Sequence, residues 1–213
     1  MLYVQQSLGP GEEILAGARF HWMYTVRAIS WILFGLGIGI AIGSGSIWWA
    51  VTSRIRDVYY ADMPSELFNM AWHEVVQEKG GYLQILWSMP PVLRFSILGF
   101  FLLGLFLFAH LMIIKATTEI AVTNERVIYK KGLIARHVGE IGVDRIEGVS
   151  VHQGVWGRIW GYGTIIIRGM GVGEVVLPEL IEEPIDFRKA VQEARTLREK
   201  AKNGPSHEPH EDL

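Results

Sequence analysis

The stretch Thr123–Thr164, TNERVIYKKGLIARHVGEIGVDRIEGVSVHQGVWGRIWGYGT, decides the fold. β-Branched and aromatic residues crowd it and glycines interrupt it, the pattern of consecutive antiparallel strands joined by tight turns. It begins just after an apolar run of membrane length, Phe95–Ile114. A small all-β module is therefore expected to be tethered directly to a bilayer. The stretch holds no clustered nucleophile, general base or metal-ligand set, so no catalytic residue, cofactor or metal site is expected.

Within and around it, Thr117–Val122 alternates, Asn124 and Glu125 make a turn, and Arg126–Lys131 alternates again. Gly132 breaks the chain before a strand over Leu133–Ile141. Another covers Arg145–His152, with Val149 and Val151 on one face and Ser150 on the other. Tyr162–Arg168 and Glu174–Leu177 form two more about a Gly169–Gly173 turn, and Pro178 ends the last. A single helix follows over Pro184–Lys202, with Phe187, Ala190, Val191, Ala194 and Leu197 as its apolar stripe. A curved antiparallel sheet leaves an open end that one amphipathic helix can close. Residues 115–202 are thus expected to form a small roll or half-open barrel capped by a C-terminal helix.

The rest of the chain reads as an α-helical hairpin in the membrane. Residues 28–51 and 95–114 carry no Asp, Glu, Lys or Arg, and each meets the roughly 20 residues needed to cross a hydrocarbon core of about 30 Å. The first span is rich in glycine, and Gly35, Gly39 and Gly43 recur at four-residue spacing, which lets a neighbouring helix approach. Trp22, Tyr24, Trp48, Trp49 and Trp87 flank the spans as interfacial anchors. Pro90 and Pro91 open the second helix, where a missing N–H costs little. His110 reads as an interfacial side chain.

Composition agrees. Half of the 213 residues are hydrophobic and the formal net charge is −2. No broad basic field is available for nucleic acid, and no nucleic-acid partner is expected. The chain has no cysteine, which excludes disulfides, iron–sulfur ligation and thiolate catalysis. The first apolar run starts only after Arg27, without the short apolar core of a cleavable signal.

Two spans place both termini on one side. Arg19, Arg27, Lys115, Arg126, Lys130 and Lys131 lie on the terminal side, against Arg54, Arg56, Lys79 and Arg94 in the loop. The positive-inside rule then puts residues 1–27 and the β module in the cytoplasm of a multi-pass inner (plasma) membrane protein. Residues 52–94 become the opposite loop, and 203–213 a solvated, disordered tail in which His207 and His210 hold no metal. Within the loop a helix is expected over 64–78. Its apolar face is Leu67, Phe68, Ala71, Trp72, Val75 and Val76, and Gly80 and Gly81 end it. His73-Glu74-Val75-Val76-Gln77 lacks the second histidine of a zinc-protease helix, so that chemistry is rejected.

Three blocks occur in order: Thr123-Asn124-x-Arg126-Val127-x-Tyr129-x-x-Gly132-Leu133, Ile141-x-x-x-Arg145-Ile146, and Gly157-Arg158-x-x-Gly161-Tyr162-Gly163-Thr164. Over roughly residues 115–200 they resemble the bacterial pleckstrin-homology (PH) domain of membrane-anchored proteins. The resemblance implies seven strands with a capping helix at the cytoplasmic face, and no enzymatic activity. Most block residues have a structural reading: Asn124 and Gly132 suit turns, while Arg126 and Arg145 can pair with Glu125, Glu140, Asp144 or Glu147. Lys130, Lys131 and Arg136 flank an early hairpin, where PH domains that bind phosphoinositides carry basic residues. Glu140, Asp144 and Glu147 dilute that cluster. Trp156, Arg158 and Trp160 form a second candidate surface in a Gly-rich loop, which can enter the interface, meet a partner or cover the barrel end. The expected function is a non-enzymatic adaptor that assembles a protein partner, or copies of itself, at the membrane. The alternative is an anionic-lipid-binding or envelope-stress-sensing module.

Overall fold

The computed structural model describes residues 2–58, 64–132, 137–171 and 173–202. In chain order these form α1 (Leu2–Ser7), β1 (Ile14–Ala18), α2 (Trp22–Val58), α3 (Ser65–Glu78), α4 (Tyr82–Ser88) and α5 (Pro91–Thr117). There follow β2 (Glu119–Thr123), β3 (Arg126–Lys131), β4 (His137–Gly142), a 3₁₀ turn at Val143–Arg145, and β5 (Ile146–His152). The chain continues with α6 (Val155–Trp160), β6 (Tyr162–Gly169), β7 (Gly173–Val176), β8 (Ile181–Glu182) and α7 (Pro184–Lys202). Two units result: Met1–Val26 with Met112–Leu213, and Arg27–Leu111.

The first unit holds two antiparallel sheets, one ordered β1-β2-β3-β4 and one β5-β6-β7 with β8 against β6. Two-residue alternation sends Ile120, Val122, Val127, Ile165 and Ile167 to a common core, where Val143, Ile146 and Leu177 join them. Phe187, Val191 and Ala194 of α7 close that core, as the apolar stripe of Pro184–Lys202 predicts. The other face of β2 and β3 presents Ala121 and Ile128, and α1 covers them with Val4 and Tyr3. β2 is therefore buried on both faces. The Glu119 carboxylate fixes α1 there by accepting the N–H groups of Tyr3 and Val4 at 3.0 and 3.2 Å.

The module expected over 115–202 also takes in a strand from residues 1–27. β1 is the first strand of the module and pairs antiparallel with β2, Ile14 opposite Thr123 and Ala18 opposite Ile120. A module confined to 115–202 would leave that edge of β2 open. Further corrections concern limits. Both apolar helices outrun their uncharged cores of 28–51 and 95–114, because polar residues at helix ends continue the hydrogen-bond ladder. The strand expected over Leu133–Ile141 is described from His137, residues 133–136 lying outside the described set. The expected tail, 203–213, also lies outside it.

The second unit is helical. α2 and α5 are long and apolar enough to cross a membrane. They meet where side chains are absent: a Cβ on Gly35 would lie 2.5 Å from the Phe100 carbonyl oxygen, and one on Gly104 2.5 Å from that of Trp31. Of the four-residue glycine series, Gly35 is thus the point of backbone contact, while Gly39 and Gly43 meet the Ile97 side chain. α3 turns Ala71, Val75 and Val76 onto Val51 and Ile55 of α2, with Ile85 of α4 completing the cluster. Gly80 and Gly81, both at positive φ, make the turn between α3 and α4. Leu67, expected on the buried face of α3, is about half exposed.

Candidate binding surfaces of the β module

The β2–β3 hairpin carries the first candidate cluster. Glu119 faces Lys130 across the ladder, and the Lys130 Nζ lies 3.9 Å from Glu119 Oε1. The same ammonium sits 5.0 Å from the Tyr3 ring centroid, a cation–π distance. Lys130 is thus tied into the attachment of α1. Lys131 is exposed on the next position, and Arg136 lies outside the described residues.

Arg126 occupies the centre of a clasp that sequence reasoning foresaw only in part. Its Nη1 donates to Glu140 at 2.8 Å, one of the expected partners. Its Nε and Nη2 donate to the two Glu12 oxygens at 3.0 and 2.8 Å. Nη2 also reaches the Ser7 carbonyl at 2.7 Å. Glu12 is buried and accepts from Thr123 Oγ1 at 2.7 Å and the Gly9 N–H at 2.8 Å as well. Burial pushes this carboxyl's pKa up, but the Gly9, Thr123 and Arg126 donors outweigh it, and the net shift is downward. No local signal marked Glu12, because its side-chain partners, Thr123 and Arg126, lie more than a hundred residues along the chain.

Trp156, Arg158 and Trp160 lie on a helix, α6, and not in a loop. Gly157 is buried, since a Cβ there would come 2.5 Å from the Tyr162 carbonyl oxygen. Gly161 ends the helix in the left-handed region at φ 78°. These two glycines let a six-residue helix lie flat on the start of β6. Its remaining residues, Val155, Trp156, Arg158, Ile159 and Trp160, are all exposed. The Trp160 ring meets that of Trp22, the first residue of α2, edge-on at 5.3 Å. An apolar surface that includes two tryptophans therefore continues into the first turn of a membrane-length helix.

A third surface is the strand edge at β7, which among the described residues pairs with β6 alone. Val176 and the nearby Met170 are more than half exposed there. Among the described residues no group of three His, Asp or Glu side chains is placed to hold a metal ion.

Two short antiparallel sheets with one C-terminal helix against their core define a PH-like β roll, a class of binding module that is generally non-catalytic. Residues 81–201, more than half of the chain, match the bacterial PH domain family, and the chain belongs to it. The match extends N-terminal to the three blocks, through α4 and α5. No curated protein and no solved structure matches the chain.

Proposed function

We propose that this chain is a membrane-anchored adaptor whose PH-like module, held at the cytoplasmic face of the inner membrane by two spans, docks a protein partner without performing a reaction. One observation carries the reading: the strands that flank the apolar helices in sequence, β1 and β2, pair with each other. Thr118 alone separates the end of α5 from the start of β2. The module thus takes strands from both sequence flanks of the helical hairpin, which suits a platform built next to the membrane. The β7 edge is the docking element, since an extended segment adds to such an edge through main-chain hydrogen bonds.

A second reading, a module that binds anionic lipid through Lys131, Arg136 and Arg158, is favoured by α6, where Arg158 stands exposed between Trp156 and Trp160. The absence of cysteine makes both readings testable in one background. Single cysteines replace Glu66 on α3 or Lys131 on β3, and intact cells meet a membrane-impermeant maleimide. Glu66→Cys is expected to label at once and Lys131→Cys only after lysis; equal labelling would contradict two spans. A photo-crosslinker at Val176 is then expected to trap one discrete protein, lost on Glu174→Lys. Trapping of lipid alone favours the second reading.

A further inference from the structure

A groove of about 870 Å³ runs along α2, α4 and α5 within the helical unit. Gly35, Gly39 and Gly43 form its floor, and Leu83, Phe95 and Leu98 stand along its walls. From Gly35 to Ile47 the α2 wall covers about 18 Å at 1.5 Å per residue. That is close to the depth of one leaflet, half of a hydrocarbon core of about 30 Å.

Among the described residues, one charged side chain lines the groove. Arg94, in the first turn of α5, lies beside Trp87 with its guanidinium 5.5 Å from the ring centroid. It is half-buried, and among the described residues no carboxylate lies within ion-pair distance of it. A guanidinium against an apolar wall demands an anion or water, and its planar fork suits a phosphate. Trp48, Trp49 and Trp87 are exposed, and Trp49 shares a hollow with Pro90 and Leu93, next to Arg94 in sequence, a placement that suits a membrane interface. The groove thus has the layout of an amphiphile: a cation at the interfacial end and an apolar trough one leaflet deep.

We propose that this groove binds one anionic phospholipid, its phosphate paired with Arg94 and an acyl chain lying over Gly35, Gly39 and Gly43. The proposal rests on the reading of α2 and α5 as membrane spans, and charge complementarity selects the occupant. The uncharged helix cores of a second copy, residues 28–51 and 95–114, would offer Arg94 no anion.

The test uses the full chain in nanodiscs of mixed phosphatidylcholine and phosphatidylglycerol, released for native mass spectrometry. The wild type is expected to leave as a monomer that retains phosphatidylglycerol in preference. Arg94→Gln is expected to weaken that preference about tenfold, the scale of one charge-assisted contact, and Arg94→Lys to keep most of it. Leu98→Trp, which narrows the trough at a half-exposed wall position, is expected to lower retention of both lipids. An Arg94→Gln variant with unchanged preference, a wild type indifferent to headgroup, or a lipid-free dimer would overturn the proposal. Carbonate extraction of the same membranes separates the two layers of inference. A chain that stays membrane-bound without headgroup preference sinks the groove alone, whereas a chain that is extracted sinks the spans and the groove together.

Discussion

Ile167 and Phe106 are both large apolar residues in the middle of regular elements, yet Ile167 is fully buried and Phe106 is 66% exposed. The contrast holds across the two units. In the β module, alternation turns Ile120, Val122, Val127, Ile165 and Ile167 of β2, β3 and β6 inward to the core that α7 closes. In α5 only Gly104 is buried, and Phe95, Leu98, Leu102 and Phe106 face outward. Burying apolar area in a core stabilises by about 25 cal/mol per Å², and exposed apolar patches of this extent are rare on water-soluble monomers and mark contact surfaces. On the two-span reading the same residue types serve two solvents: one unit carries its own apolar phase and the other lies in the lipid around it.

The largest expected effect breaks that comparison from the soluble side. Ile167→Ala should destabilise the β module by about 3 kcal/mol, read as loss of protection from limited proteolysis after Lys115. Phe106→Ala in membranes should change stability by less than about 0.5 kcal/mol, since lipid refills the space. Next comes helix contact. Gly104→Leu places side-chain atoms where the Trp31 carbonyl stands and should cost about 2–3 kcal/mol in thermal denaturation in detergent. Gly37→Leu, at a position open to space, is the matched control and should leave the transition in place.

Arg126→Ala should cost about 2 kcal/mol, because it strips the buried Glu12 carboxylate of its charged donor. A smaller effect follows from pH. The Glu12 pKa is lowered on folding from an ordinary value of 4.5. Its contribution is therefore present above about pH 4.5 and lost as pH falls through the lower folded value. Melting temperature should drop with acid across that window, and Glu12→Gln should flatten this part of the profile. Lys131→Ala, on an exposed strand position, should shift stability by less than about 0.5 kcal/mol.

The sequence revealed what short-range patterns can carry. The uncharged runs mark α2 and α5, the alternation of Arg126–Lys131 marks β3, and the stripe from Phe187 to Leu197 marks α7. β1 was illegible because ILAGA is brief and small in side chain, and its partner strand begins a hundred residues later. Glu12 escaped for the same reason. α6 read as a loop because Gly154, Gly157 and Gly161 are breakers in isolation, whereas here one permits close approach to Tyr162 and another caps the helix. The groove beside Arg94 arises from three helices and has no linear signature. For the candidate surfaces, the sequence named Trp156, Arg158 and Trp160 but not Trp22, whose ring contact depends on the fold.

The most direct test of the two-solvent account is accessibility of nitroxide labels placed singly in the cysteine-free chain after reconstitution into vesicles. Labels at Leu98, Leu102 and Phe106 on α5 should relax with molecular oxygen and resist a water-soluble nickel chelate. A label at Thr196 on α7 should show the reverse. Free access of the chelate to all three α5 positions would contradict the account, because their exposure would then be to water.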